Sequence, residues 1–455
     1  MKTSSYVLAL LAFGAAGATA AEFDFVALSP KDWPGHAPEK VSAELKPVAA
    51  SFLEAMRAGA IAALNERKAK LISILGGYAG VPEERPNYGQ PIEPQTPDFK
   101  RISGLWDDVL SSQKGRYGWE VAARLQTSPG AGGKVPRLRV SQRQISALLR
   151  THEAGLDPTG KYLKAAIAGL DYLLSTQTSG GAFGYPYEPG GPGLRVQAAA
   201  SVVRGEKMGL KMVERDWIVE DLGDGGLNFD NGMCGAVLLH GYVLTGDTRY
   251  LEAAKRAGEW ARTRKLALNF NYNGFSGMLL SRLFRVTGDK MWLEAAKPIV
   301  ERGVLIGQMP NGRWFDQHNA KIQYHAILCW QTAEYLFALR AANAPSVSKV
   351  EDHLRRGLNN LATEINHYGT NNADEAISLE ALISGSFVVG ADPAWTRAIN
   401  TVTNYVSGPF AEVARSHGVT LPDPLACYFL FRAHEERSFT PAEGMTVMRG
   451  NRNTR

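Results

Sequence analysis

The sequence predicts an all-α fold, an (α/α)6 toroid in which helical hairpins close into a ring. Three observations predict it. A turn followed by an amphipathic helix recurs along the chain, and a helix that is apolar on nearly every side precedes most copies. The pair repeats about every forty residues, a length typical of helical-hairpin units, which either stack into an open solenoid or close into a ring.

The recurring turn places a capping residue three positions before an aromatic residue. The copies, as capping and aromatic residue, are Asp247 and Tyr250, Asp289 and Trp292, Asp392 and Trp395, and a shorter one, Thr159 and Tyr162. Asp and Thr side chains accept hydrogen bonds from the free amides of a first helical turn. Small and apolar residues then recur on one helical face. Each copy therefore predicts the start of an outer helix.

The helices before these turns are apolar nearly all round, which is typical of helices buried on every side. They are expected near 233–244, 275–286, 326–339 and 376–389. Pairing inner with outer helices gives hairpins near 141–176, 232–262, 273–304, 322–365 and 373–407.

One more apolar helix is expected near 425–433, and it needs a partner. The helical region 41–75 or the segment 106–125 could supply the partner and join the two ends of the chain. An open solenoid would end in polar capping repeats, which the sequence does not show, so a ring is favoured. The toroid domain is placed at 21–435, including an N-terminal helical segment, and a polar tail at 436–455.

The first twenty residues have the layout of a secretory signal peptide. Lys2 is followed by an apolar run over 6–18 and then by Ala18, Thr19 and Ala20, a small-residue cleavage site. The run is shorter than the roughly 20 residues that span a bilayer, and no later stretch is long and uncharged enough. We therefore expect a signal peptide at 1–20, a periplasmic or secreted protein, and no membrane span.

Charge and cysteine content narrow the partners. The formal net charge is only +5, without a run of Lys and Arg that could follow a phosphate backbone, so nucleic acid is not expected. An acidic polymer stays compatible with this balance. Cys234, Cys329 and Cys427 are odd in number and far apart, which favours buried core residues over disulfides or a zinc site.

Every connection from an outer helix to the next inner helix should lie at the same end of the ring. These connections are rich in hydrogen-bonding and aromatic side chains, which suit the hydroxyl edges and apolar faces of sugar rings. Asn and Asp are also common in turns and helix caps, so each residue alone is a weak signal. The expected substrate-binding residues are Tyr185, Tyr187, Asn273, Trp314, Asn319, His367 and Asn372.

Two reactions that cleave a polysaccharide fit a substrate cleft lined by these connections. A polysaccharide lyase needs a group that neutralises a uronate carboxylate, together with a base and an acid. Candidates for neutralising the carboxylate are Arg313, Asn319 and Asn231, and candidates for proton exchange are His318, His325 and Tyr324. A glycoside hydrolase usually needs two carboxyl groups. Asp230 and Asp316 are the natural pair, with Asp374 and Glu375 as substitutes.

Two segments carry a resemblance. Residues 180–187, which read GGAFGYPY, and 228–233, which read NFDNGM, resemble a segment of the toroidal pectate lyases and, more generally, the six-hairpin glycosidase superfamily. The resemblance implies a toroid that acts on a sugar polymer. It also implies an arginine base and calcium-binding carboxylates, neither of which has an assigned position in this sequence. Calcium is thus implied by the resemblance only, and the residues themselves indicate no metal site.

The small positive net charge and the many Asn, His and Tyr residues in the connections favour a lyase that cleaves an acidic, uronate-containing polysaccharide by β-elimination. A glycoside hydrolase with paired carboxylates is one alternative. A non-catalytic scaffold that binds an exopolysaccharide is another, since a fold alone does not separate these functions.

Overall fold

The computed structural model describes residues 39–75, 97–112, 138–187, 194–215, 217–223, 225–314, 322–369, 376–407 and 422–437. Its early helices are α1 Glu39–Ala58, α2 Ile61–Leu75, α3 Phe99–Ile102 and α4 Gly104–Ser112. The inner helices are α5 Leu138–Glu153, α8 Gly226–Thr245, α10 Phe270–Thr287, α12 Ile322–Ala341, α14 Ser378–Val389 and α16 Pro422–Arg437. The outer helices are α6 Lys161–Thr176, α9 Thr248–Arg262, α11 Lys290–Gly303, α13 Val347–Tyr368 and α15 Pro393–Ser407.

The inner helices form a closed ring. Within the described chain, α5 packs on α8, α8 on α10, α10 on α12, α12 on α14, α14 on α16, and α16 again on α5. Each of the first five inner helices also packs against the outer helix that follows it after a short turn. The predicted toroid is confirmed. Because the hairpins are antiparallel, all inner helices begin at one end of the ring, which we call the mouth.

The chain ends are joined by α3 and α4, which take the place of a sixth outer helix. The Trp106 indole donates a hydrogen bond to the Thr151 hydroxyl at 2.7 Å, and the Phe99 and Phe429 rings meet edge to face at 5.4 Å. Arg101 donates to the Ser407 carbonyl at 3.3 Å. The closing segment therefore overlaps the second of the two predicted alternatives at residues 106–112, and residues 113–125 of that prediction lie outside the described ranges.

Helices α1 and α2 lie instead against the connections between hairpins. Arg57 donates to the carbonyl oxygens of Leu266 and Gly223, and Lys68 donates to that of Gln308. This hairpin thereby joins three successive connections at the mouth end of the ring.

The helix caps follow the predicted turns with one correction. Asp247, Asp289 and Asp392 each accept a hydrogen bond from a first-turn amide, at 2.8–2.9 Å. The predicted Thr159 cap is wrong. The Asp157 carboxylate reaches over the intervening turn and accepts from the amides of Tyr162 at 3.2 Å and Leu163 at 3.0 Å, so it caps α6 instead.

The long connection before α8 contains structure that the sequence did not reveal. It carries α7 Leu194–Lys207 and strands β1 Tyr185–Pro186, β2 Val213–Glu214 and β3 Trp217–Ile218, which form an antiparallel sheet of order β1-β3-β2. Helices α8 and α10 begin about five residues or more before the predicted apolar runs. As a result Asp230 and Asn231 lie in the first turns of α8, and Asn273 lies in α10, not in loops.

Most buried apolar side chains of the described residues belong to one core that runs between the two helical layers. Cys234, Cys329 and Cys427 are buried and unpaired with one another, as predicted. In the described ranges, no helix combines the length and the apolarity that a bilayer crossing requires.

Candidate functional site

Arg150 of α5 lies on the side of the helix that faces the interior of the ring. Arg150 of α5 forms ion pairs with Glu380 of α14 at 2.6 Å and with Asp423 of α16 at 2.9 Å. Helix α14 is not a ring neighbour of α5, since α16 lies between them. The direct path from α5 to α14 passes through the interior, so this face of α5 points inward.

The same face of α5 carries further polar residues. Arg139, Arg143, Ser146 and Arg150 follow one another at spacings of four, three and four, which place them on one side of a helix. We call these four residues the arginine stripe. It extends over about 16 Å at 1.5 Å per residue, from the first turn of α5 at the mouth into the ring.

The mouth end of the stripe is a guanidinium held in place by a buried carboxylate. Arg139 Nε and Nη2 both donate to the Asp230 carboxylate, at 3.0–3.1 Å, and the guanidinium lies 4.4 Å from the centre of the Phe229 ring. The Arg139 side chain is 21% exposed, whereas that of Asp230 is 1% exposed. Burial opposes the charge on Arg139, but Asp230, Tyr272 and Tyr185 outweigh it and raise the pKa of Arg139. A permanent cation thus reaches solvent at the mouth.

The inner end of the stripe combines one cation with two carboxyl groups. Arg150, Glu380 and Asp423 are each at most 3% exposed. Burial, with the charge on Glu380, raises the pKa of Asp423 to about 6, although Arg150, Arg143 and a hydrogen bond with Ser146 oppose this. Asp423 is therefore a carboxyl group that can hold a proton near neutral pH.

The predicted site residues Arg313, Trp314 and His325 do not lie next to the arginine stripe. Arg313 is paired with Glu364 of α13 at 2.5 Å, and the Trp314 indole donates to the Val304 carbonyl at 2.9 Å. His325 Nε2 donates to the carbonyl of Gly357, also on α13, at 3.0 Å. The structure brings these residues together, with the Trp314 and His325 rings 5.5 Å apart, but between the helical layers.

Burial and the neighbouring Arg313 lower the pKa of His325 far below its ordinary value. The imidazole is therefore neutral, and it is fully buried. This placement favours a packing role for Arg313, Trp314 and His325, and we leave them out of the site proposed below.

Two predicted asparagines bind backbone atoms. Asn231 donates to the Ala257 carbonyl at 2.9 Å and accepts from the Phe183 amide at 3.3 Å. Asn273 accepts from the Ala267 amide and donates to the carbonyls of Ala267 and Gly303, at 2.7–2.8 Å. These contacts tie inner helices to neighbouring connections and favour structural roles.

The remaining predicted residues are partly exposed or undescribed. Tyr185 and Tyr187 are half-buried against a small apolar cluster of Val202, Met212 and Ile218. Tyr324 is half-buried in the first turn of α12, and His367 is exposed near the end of α13. The predicted residues outside the described ranges are Asp316, His318, Asn319 and Asn372, with the substitutes Asp374 and Glu375.

Among the described residues, the calcium ion that the resemblance implies has no suitable set of ligands. In the described ranges, no group of three or more His, Cys, Asp or Glu side chains is arranged to hold a metal ion. Glu380 and Asp423 both bind Arg150, a cation that would repel a calcium ion. These residues do not fit a calcium site.

Sequence reasoning missed Arg139, Arg143, Arg150 and Glu380. The available signal was the spacing of the arginines, which puts three cations on one face of a predicted inner helix. Glu380 is a second signal, because it is the only charged residue of α14, whose other residues are apolar, glycine or serine.

No protein-family model matches the sequence, and no curated protein matches it. Solved structures do resemble this one. A family 76 glycoside hydrolase from a bovine Bacteroides thetaiotaomicron strain is 12% identical, with 75% of this chain and 78% of that chain covered and a TM-score of 0.50. A family 76 α-mannanase of Bacteroides thetaiotaomicron is 11% identical, with 75% and 96% covered and a TM-score of 0.50.

A polysaccharide lyase is 12% identical, with 74% of this chain and 99% of that chain covered and a TM-score of 0.46. At such identities the likeness concerns the fold. The chain has the α/α-toroid fold that the two family 76 glycoside hydrolases share.

Proposed function

We propose that this protein is a carbohydrate-active enzyme that binds an acidic, uronate-containing polysaccharide at the mouth of the ring and cleaves it by β-elimination. The observation that carries the proposal is the arginine stripe. Three guanidinium groups share the inner face of α5, and the outermost, Arg139, is partly exposed and lies near the half-buried Tyr185. Guanidinium groups recognise carboxylates, and phenol rings suit sugar faces.

Arg139 is the proposed neutralising group. Its Nε and Nη2 are occupied by Asp230, while no described residue accepts a hydrogen bond from Nη1. A substrate carboxylate bound at Nη1 would stabilise the negative charge that develops when the neighbouring C–H proton is removed. Asp230 thus becomes a positioning residue in this proposal, in place of the acid predicted for a hydrolase.

The reaction needs two proton transfers and no water. A base removes the proton from C5, the C4–O4 bond breaks, a double bond forms between C4 and C5, and the leaving oxygen takes up a proton. Tyr324, half-exposed at the start of α12, and His318 stay the proposed proton carriers.

The test is to incubate the purified protein with uronate and neutral polysaccharides, recording ultraviolet absorbance and new reducing ends together. Unsaturated uronate products, which absorb in the ultraviolet, are expected from acidic substrates only. Arg139→Gln should reduce this activity about 100-fold or more, as loss of one charge-stabilising donor does in other enzymes. Arg249→Gln, at an exposed ion pair on α9, is the control that should change little.

Hydrolysis is the second candidate, favoured by one specific observation. Glu380 and Asp423 both bind Nη1 of Arg150, and burial together with Glu380 raises the pKa of Asp423 to about 6, suitable for a general acid. New reducing ends without ultraviolet absorbance would support it. Saccharide binding without any new ends would support a non-catalytic scaffold.

We also propose that the protein acts in the periplasm or outside the cell, because residues 1–20 have the layout of a signal peptide. Fractionation of cells that express the full chain tests this. A mature protein that starts near Ala21 and leaves the cytoplasm is expected, and retention of the uncleaved chain in the cytoplasm would contradict it.

A further inference from the structure

Arg150 is buried, yet it uses only one of its terminal nitrogens. Nη1 donates to Glu380 Oε1 at 2.6 Å, to Asp423 Oδ1 at 2.9 Å and to the Asp423 carbonyl at 3.4 Å. The Nε group is buried and has no hydrogen-bond partner in the described chain, and no described residue accepts from Nη2. The edge of the guanidinium that carries two parallel N–H groups is therefore open.

The other end of the stripe indicates what such an edge binds. In Arg139 the same two nitrogens, Nε and Nη2, hold the Asp230 carboxylate. The planar fork matches a carboxylate in geometry and charge, which is why this pairing is common and strong. A buried N–H left without an acceptor costs about 1–3 kcal/mol, so an acceptor is expected beside Arg150 as well.

A second unsatisfied atom lies next to the open edge. Glu380 Oε1 binds Arg150, but Glu380 Oε2 is buried and has no donor among the described residues. The immediate surroundings of Arg150 thus offer two N–H donors and one carboxylate acceptor. A uronic acid residue presents the complement of this set, a carboxylate beside ring hydroxyl groups.

Solvent can approach this position along the stripe. Arg143 and Ser146, which precede Arg150 on the same face, are both partly exposed. Ser146 also hydrogen-bonds with Asp423, so the exposed part of the stripe ends in direct contact with the Arg150 cluster.

We propose that Arg150 binds a uronate carboxylate of the saccharide through its Nε–Nη2 edge, while Glu380 Oε2 accepts a hydroxyl of the same sugar. This inference rests on the proposed function and adds a second acid-recognising position about three helical turns inside the mouth. Glu380 and Asp423 act as positioning residues that hold the guanidinium from its other side.

Binding of a uronate carboxylate at Arg150 should depend on whether Asp423 is protonated. The groups that face Asp423 are Arg143 and Arg150 of α5, Glu380 of α14 and Cys427 of its own helix, with Glu334 of α12 also acting on Cys427. A third carboxylate in this space raises the affinity of Asp423 for a proton. Binding of an acidic sugar is therefore expected to take up protons and to tighten as the pH falls from 8 to 6 (about tenfold per unit at most).

The experiment measures binding of trigalacturonate and of its methyl ester, which has the same shape without the charge, by calorimetry. We expect wild-type protein to prefer the acid and to take up protons on binding it, as shown by heats in two buffers of different ionisation enthalpy. Arg150→Lys keeps the charge but lacks the fork, so it should lose about tenfold or more of the preference. Arg249→Lys, on the exposed face of α9, is the matched control that should keep it.

The outcomes separate the two proposals. Folded Arg150→Lys protein with an undiminished preference for the acid would overturn the role of Arg150, because water alone then fills its open edge, and would leave the proposed function standing. If the variant does not fold, wild-type protein that binds the acid without proton uptake overturns the inference. Wild-type protein without any preference for the acid overturns the proposed function itself.

Discussion

The pair of Arg139 and Asp230 joins a sequence-derived candidate to a residue found only in the structure. Asp230 was predicted, together with Asp316, as a catalytic carboxylate of a hydrolase, because both lie in the polar connections expected at one end of the ring. In the structure both of its oxygens bind Arg139, so it orients a cation at the mouth. The residue type and position could be predicted, but its partner lies 91 positions away in the chain, and that contact depends on ring closure.

Asp230→Asn should weaken both the fold and the binding of acidic substrates. The amide cannot match the charge of Arg139, and a buried polar group left without a matching partner costs about 1–3 kcal/mol. We expect kcat for an acidic polysaccharide to fall and KM to rise, because Arg139 both binds the carboxylate and stabilises the developing charge, and urea unfolding is measured together with them. The control is Asp107→Asn, whose partner is Lys161 in an exposed pair, with an expected loss below about 1 kcal/mol. Equal effects of the two substitutions would contradict the positioning role.

Asp423 should leave a signature in the pH dependence of stability. Its pKa is raised from 3.8 to about 6, first by burial and then by Glu380, so between these values the folded state holds a proton that the unfolded state has released. Its stabilising contribution is therefore full below pH 4 and is lost as the pH rises through 6. We expect the unfolding free energy of wild type relative to Asp423→Asn to fall over this interval. A difference that is flat or that rises with pH would show that the carboxyl is not protonated there.

Individual helices were the most predictable level of structure. The capping aspartates and the apolar runs located the inner and outer helices, because a helix end and a buried helix each leave a local pattern. The first turns of α8 and α10 were misread as loops, since Asn and Asp at those positions are also turn residues. The sheet was missed because its strands have two residues each, too short to show an alternating pattern.

The cap of α6 provides a test at the level of one element. Asp157 accepts hydrogen bonds from the amides of Tyr162 and Leu163 and also binds His152, whereas Thr159 has no such role. Asp157→Ala should lower the unfolding free energy by about 1–2 kcal/mol, and Thr159→Ala by only a few tenths. Chemical denaturation of the two variants measures the difference. The reverse order would restore the cap predicted from the repeat.

Ring closure decides which residues can meet, and this is why the site was less predictable than the fold. The repeat and the unpaired last helix predicted a ring, but two segments could have closed it, and local patterns did not choose between them. Packing did: Trp106 is fully buried, donates to Thr151 and contacts Phe429, so it connects α4 with both α5 and α16. The contact between Arg150 and Glu380 exists only because α5 and α14 face the same closed interior.

The closed ring also predicts which helices are destabilised by a substitution at the junction. In an open solenoid each repeat contacts only its neighbours, so a defect at one end leaves distant repeats protected. In this ring, Trp106→Ala removes a fully buried side chain at the junction and should cost about 3–5 kcal/mol. Because the inner helices pack in an unbroken circuit, we expect hydrogen exchange to speed up to a similar extent in the most protected amides of α10, on the far side of the ring, and in those of α5. Protection that falls in α5 and α16 while α10 stays unchanged would mean that the hairpins unfold separately, and that the interior contacts do not hold the ring together as one cooperative unit.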